Sequence, residues 1–271
     1  MTNLDNRNFN LTYLNHFNIK SDDEALSEPS GLALSHGKKA LWTISDDTEK
    51  IFKMGLDGDI HKKKSFKFPE NGLEGIALDP TGEFLFTVKE DNNEIIKIQV
   101  DSQEVVYRQH LSEMEGYGAV AHYFSGGGTN NGLEGVTWNN ETGTLFVIKE
   151  VNPGLLIEIS SDLKAIRSHQ LLDEQNGFSD TEVAADEIDF SDICYDHSRD
   201  QYWIISDKAR RIFLYSGLHN KVMKSAKLSY GKGGEYREIE KAEGVAIDPD
   251  SCRLYVVSDK EARLYVYDIR G

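Results

Sequence analysis

Five segments of this chain share one design, and each carries two markers at the same distance. They begin Ser30-Gly-Leu-Ala-Leu, Glu74-Gly-Ile-Ala-Leu-Asp-Pro, Glu134-Gly-Val-Thr-Trp-Asn-Asn, Ser191-Asp-Ile-Cys-Tyr-Asp-His and Glu243-Gly-Val-Ala-Ile-Asp-Pro. A turn and a second apolar run ending in an acid follow each one: Leu41–Asp46, Leu85–Glu90, Leu145–Glu150, Tyr202–Asp207 and Leu254–Asp259. The offset from first marker to closing acid is 16 residues in all five copies, whereas successive copies lie 44 to 60 residues apart. A fixed unit joined by connections of variable length is the signature of a repeat architecture.

The unit reads as β-structure. Its apolar runs are short, rich in Val, Ile, Leu and aromatic residues, and separated by turn chemistry such as Asp79-Pro-Thr-Gly82 and Asn139-Asn-Glu-Thr-Gly143. A third run follows (Ile95–Val100, Leu155–Ile159, Ile212–Tyr215, Leu264–Tyr267), then a weaker fourth such as Val105–His110 or Val222–Leu228. Four antiparallel strands every 40 to 60 residues make a propeller blade, so the expected fold is an all-β, five-bladed β-propeller in one domain. The blades fall at about 28–68, 71–111, 131–172, 189–229 and 241–269. The fifth copy runs out of chain before a fourth strand, and the N-terminus has a spare one at Leu11–Ile19. Pairing the two closes the ring and covers both edges.

The 271 residues carry 30 Lys and Arg against 46 Asp and Glu, a net charge of −16. Such a surface repels phosphate backbones and anionic lipid, which argues against a nucleic-acid partner, and it suits cations. No run of about 18 apolar residues marks a membrane span. The start MTNLDNRNFN lacks the pattern of a secretory signal, so the chain as given is expected in the cytoplasm, or in the periplasm or at a membrane if it is processed. Cys194 and Cys252 form no Cys-x-x-Cys pair, which removes zinc and dithiol motifs from consideration.

In a propeller the first strand of each blade lines the central channel and the second returns beside it. Ser30, Glu74, Glu134, Ser191 and Glu243 are therefore expected around one mouth, with the closing acids in a wider circle on the same face. Glutamates crowded on one narrow ring raise each other's pKa or take a counter-ion, and all-oxygen ligands fit Ca²⁺. The expected ligands are Glu74, Glu134 and Glu243, with Ser30 and Ser191 completing the shell. Asp192, which replaces the glycine of the other copies, ranks after the glutamates. The outer acids are expected to cap turns through backbone N–H groups. The long connection Leu111–Asn131 should cross the same mouth, and its His122 is the one histidine placed to serve as a base there.

Asn71-Gly-Leu-Glu-Gly-Ile-Ala, Asn131-Gly-Leu-Glu-Gly-Val-Thr with Lys149-Glu-Val-Asn-Pro, Phe190-Ser-Asp-Ile and Ala242-Glu-Gly-Val-Ala resemble the SdiA-regulated family of bacterial propellers, over roughly Glu28 to the C-terminus. The resemblance implies a five-bladed ring with a bound calcium ion and a distant relation to NHL-repeat and paraoxonase or gluconolactonase-type propellers. It implies no reaction. The expected function is a calcium-binding module for a protein or extended ligand at the channel mouth. The alternative is a calcium-dependent hydrolase of lactonase or phosphoesterase type.

Overall fold

Neighbouring residues on each strand serve two different cores. In the second strand of the fourth repeat, Trp203 and Ile205 pack toward one neighbouring repeat while Tyr202 and Ile204 pack toward the other. In the last repeat Leu254 and Val256 divide from Tyr255 and Val257 in the same way. Side chains alternate across a strand, so a sheet covered on both faces needs an unbroken apolar run. This is why the runs lack the apolar–polar alternation of a half-exposed sheet.

The computed structural model describes residues 10–24, 26–45, 48–125 and 132–270. Asp46, Asn131 and the glycine run 126–128 lie outside them. Blade 1 is built from β2 (Pro29–Leu34), β3 (Ala40–Ser45), β4 (Lys50–Gly55) and the short β5 (Phe66–Lys67). Blade 2 has β6 (Leu73–Leu78), β7 (Phe84–Lys89), β8 (Glu94–Gln99) and β9 (Val105–His110). Blade 3 has β10 (Leu133–Asn139), β11 (Thr144–Lys149), β12 (Gly154–Ile159) and β13 (Ile166–Leu172). Blade 4 has β14 (Asp192–Asp196), β15 (Gln201–Ser206), β16 (Arg211–Ser216) and β17 (Lys221–Lys227). A separate hairpin, β18 (Ser229–Lys232) and β19 (Glu235–Glu238), precedes blade 5, which has β20 (Ala242–Asp248), β21 (Arg253–Ser258) and β22 (Arg263–Asp268).

The fourth strand of blade 5 is β1 (Thr12–Asn18), antiparallel to β22 with Thr12 opposite Asp268 and Asn18 opposite Arg263. The N-terminal strand thus closes the ring as the repeat count requires. Among the described residues there is no α-helix, and no helix is long and apolar enough to cross a membrane. Five apolar clusters hold the ring, one between each pair of neighbouring blades. Asx turns set the hairpins between first and second strands. Asp79 accepts Phe84 N–H at 2.9 Å, and Asn139 accepts Glu141 N–H at 2.8 Å.

At the throat, backbone meets backbone. A Cβ on Gly75 would lie 2.6 Å from the Glu134 carbonyl oxygen and the Val136 nitrogen of the next blade. Gly31 faces blade 2 in the same way, and Gly244 faces Gly31. In blade 4 the glycine is replaced by Asp192, which is fully buried. Its Oδ2 accepts the N–H groups of Val245 at 2.8 Å and Leu32 at 3.3 Å, tying blade 4 to blades 5 and 1 across the throat.

We predict that Gly75→Ala destabilises the fold by roughly 2–4 kcal/mol, because the atoms it meets are backbone and cannot rotate away. Gly37→Ala, with open space around its Cβ, should stay within about 0.5 kcal/mol of the parent. Equilibrium denaturation of both variants measures the difference.

Candidate functional site

The glutamates at the repeat marker owe their direction to a defect in strand pairing. Regular pairing between the first and second strands is interrupted between Leu73 and Ile76, between Leu133 and Gly135, and between Ala242 and Gly244. Glu74, Glu134 and Glu243 sit in those interruptions. A β-bulge carries an extra residue, which leaves the up–down alternation and re-aims its side chain. Each bulge here turns a glutamate into the mouth, and the glycine after it lets the next blade approach. Blade 4 pairs without a shift from Asp192 opposite Ile205 onward, in keeping with its lack of both glutamate and glycine.

The mouth opens into a cavity of about 490 Å³. Its walls carry nine carboxylates and two lysines, Lys208 and Lys241, and no histidine or cysteine among the described residues. Ser30, Glu74, Glu134, Ser191 and Glu243 all line it, as the repeat predicts. Asp192 does not: it lies buried, its Oδ2 accepting the two N–H groups across the throat and its Oδ1 without a hydrogen-bond partner. His122 is not among the lining residues either. The described part of its loop packs beside the core between blades 2 and 3, where the His122 ring lies 3.7 Å from that of Tyr123 at a tilt of 40°.

The outer acids differ from the expectation that they cap turns. Glu90, Glu150, Asp207 and Asp259 face the cavity. In blades 4 and 5 the preceding serine caps the turn instead: Ser206 Oγ accepts Ala209 N–H and Ser258 Oγ accepts Glu261 N–H, each at 3.1 Å. That frees the acid for the mouth. Sequence reasoning also missed Glu28 and Asp189, which line the cavity too. A signal was present. Both lie two residues before the marker, in the two copies where the marker is serine, so those blades supply their acid from two residues upstream.

Fivefold symmetry is broken in a specific way. Ser30 Oγ donates to Glu74 Oε2 at 2.7 Å, drawing Glu74 toward blade 1. Lys241 pairs with Asp259 and offsets part of the charge around Glu243. Between blades 2 and 3, carboxylate oxygens of Glu90, Glu134 and Glu150 lie within 4.8 Å of one another. The group close enough to share one ion is therefore one inner glutamate with two outer ones.

The electrostatics follow from this crowding. Burial, and then the charges of Glu74, Glu150, Glu90 and Glu243, hold Glu134 well above the usual carboxylate range. Burial, then Asp207 and Glu74, does the same for Glu243. Glu150 is pushed up to about 7 by burial and by Asp189 and Glu90, and its Oε2 is buried with no hydrogen-bond partner. Burial also raises Asp192, against its backbone hydrogen bonds.

The profile of the SdiA-regulated family matches residues 10–267. The chain belongs to the SdiA-regulated family. Among solved structures it is similar to a glutaminyl cyclase of Myxococcus xanthus, at 11% identity and a TM-score of 0.63, covering 97% of this chain and 98% of that one. It is also similar to the Cps50 (Swd1) β-propeller domain of Myceliophteria thermophila, at 7% identity and a TM-score of 0.54, covering 96% of this chain and 100% of that one. At those identities the likeness is one of fold.

Glu134, Glu150 and Glu243 bind protons more tightly folded than unfolded. Their contribution is therefore complete below the ordinary carboxylate value of 4.5 and is lost as pH rises, for Glu150 through about 7. Asp180, held down at about 2 by its Glu182 backbone bond, Arg211 and Lys227, acts in the opposite sense at much lower pH. In chelator the protein should melt at a lower temperature at about pH 8 than at about pH 5, and Glu150→Gln should flatten that slope. Thermal melts across the range check this.

Proposed function

We propose that the channel mouth of this family member binds a calcium ion, and that the propeller is a binding module presenting that face to a protein or extended ligand. The observation that carries the reading is the convergence of Glu90, Glu134 and Glu150 within 4.8 Å. Calcium takes oxygen ligands at about 2.3–2.6 Å, so two of its ligands are separated by at most about 5 Å. The wall chemistry favours the same ion. Carboxylates and hydroxyls without imidazole or thiolate suit a hard cation rather than zinc or copper. A cation would also offset the burial and the neighbouring charges that raise Glu134 and Glu150. Glu90, Glu134 and Glu150 would hold it. Glu74 and Glu243, with Ser30 and Ser191 on the same wall, would supply balancing charge or water-mediated contacts.

A second reading, a calcium-dependent hydrolase of lactonase or phosphoesterase type, draws on one observation. The cavity has room beyond an ion, and Glu150, at about 7, is poised to carry a proton near neutral pH. A bound calcium ion would polarise a carbonyl or phosphoryl oxygen. The Myxococcus xanthus relative in fold is by name a glutaminyl cyclase, which makes an N-terminal glutaminyl peptide a further probe.

Calorimetric titration of chelator-stripped protein should show one calcium ion bound, with Glu134→Gln weakening it at least about tenfold. At about 100 times Kd the ion should add about 2.7 kcal/mol of stability. Absence of calcium binding, together with an unchanged melting temperature in the triple variant E74Q/E134Q/E243Q, would falsify the proposal. Calcium-dependent turnover within a panel of lactones, aryl esters, phosphoesters and a glutaminyl peptide decides for the second reading.

A further inference from the structure

Between blades 4 and 5 the chain departs from its own repeat. The hairpin of β18 and β19 belongs to no blade and lies beside the closing strand β1. Its turn is Gly233-Gly234, both at positive φ, as two-residue hairpins that match strand twist require. At Gly231 any side chain would collide with the Glu235 carbonyl oxygen. The hairpin is anchored at its base by buried Leu228 and Ile239 and by Tyr267, whose hydroxyl donates to the Ser229 carbonyl at 2.9 Å.

This insertion flanks an open recess of about 500 Å³ against the propeller wall, lined by Tyr13, His16, Tyr230, Lys232, Arg237 and Arg263 together with Gly231 and Glu235. Its aromatic wall is a continuous ring cluster. Tyr230 lies 5.0 Å from Tyr265 and 5.7 Å from His16, and Tyr13 lies 6.1 Å from His16 and 6.2 Å from Tyr230. These rings are fixed by polar contacts. Tyr13 Oη and His16 Nδ1 are 2.6 Å apart, and Glu261 accepts from the hydroxyls of Tyr265 and, at 3.2 Å, Tyr230.

The charges run against the net charge of the chain. On a chain of net charge −16, this recess carries three cations against one carboxylate. Arg263 reaches the Tyr230 hydroxyl at 3.4 Å and lies 3.6 Å from Glu261. Arg237 is the direct cross-strand partner of Tyr230, and Lys232 that of Glu235. Among the described residues neither Arg237 nor Lys232 has a carboxylate within ion-pair distance, although acids outnumber bases overall. At physiological salt the acidic mouth is screened beyond about 8 Å, so the local cations decide what the recess attracts.

We propose that this recess is a second binding site, for a small anion that carries a ring. The ring lies against the Tyr13, His16 and Tyr230 faces, and the phosphate or carboxylate is held by Arg237, Lys232 and Arg263. Aromatic faces take flat or ring-shaped apolar surface, and guanidinium groups take planar or tetrahedral oxyanions through paired N–H donors. Aryl phosphates and uronic acids share this chemistry. The site is independent of the channel mouth and requires no metal.

Titration calorimetry of the full chain in calcium-free buffer, with phenyl phosphate, glucuronate and inorganic phosphate as probes, tests it. One ring-bearing probe should bind saturably with Kd below about 1 mM and about tenfold more tightly than inorganic phosphate. Which one does so separates an aryl phosphate ligand from an acidic sugar. Arg237→Ala should weaken binding about tenfold, while Tyr236→Ala, whose exposed ring lies outside the recess, leaves it unchanged. Both positions are exposed hairpin residues, and melting curves matching the parent verify folding. No saturable binding by either ring-bearing probe, or equal affinity in a folded Arg237→Ala variant, overturns the proposal. So does equal affinity for inorganic phosphate.

Discussion

Contact of backbone with backbone at the throat governs the rest of this molecule. Five first strands converge until a Cβ on Gly75 would meet the carbonyl and amide of the neighbouring blade. So close an approach needs glycine, and in four blades it has glycine. In the fifth place Asp192 turns the same crowding into a tie, with one carboxylate oxygen holding two N–H groups from two other blades. The five apolar clusters between blades then have a fixed frame to pack against.

The same geometry produces the acidic mouth. Where the glycine comes close to the next blade, the strand bulges, and the residue before it swings into the channel. That residue is glutamate in three of the bulges. Burial and repulsion raise its pKa, and the outer acids lining the same cavity add to the crowding. A carboxylate cluster of this kind stays protonated or gathers a cation, and both outcomes follow from the same electrostatic cost.

Much of the fold was legible in the sequence. The constant offset exposed the blades, and the missing last strand with the spare first one exposed the closure. Inner-ring membership was legible for Glu74, Glu134 and Glu243 because equivalent positions on a ring occupy equivalent places. Legibility ended where equivalence does. Periodicity puts Asp192 at the glycine position as a lower-ranked ligand beside the glutamates, but its side chain crosses the throat to bond backbone groups more than 50 residues away in sequence. It also put His122 over the mouth, because a loop's length says that it reaches the face but not where it packs.

The repeat, the number of blades, the closing strand and the five marker residues can be read along the chain, because all of these follow from local spacing and strand periodicity. Which acids stand together is set by the folded ring. Oxygens of Glu134, Glu90 and Glu150 come within 4.8 Å of one another, while Glu74, the charge that acts most on Glu134, also accepts a hydroxyl from Ser30. Such distances depend on side chains from different blades meeting in space, and no regularity along the chain records them. The recess beneath the β18–β19 hairpin is of the same kind. Its rings come from strands at opposite ends of the chain and become a wall only when the ring closes.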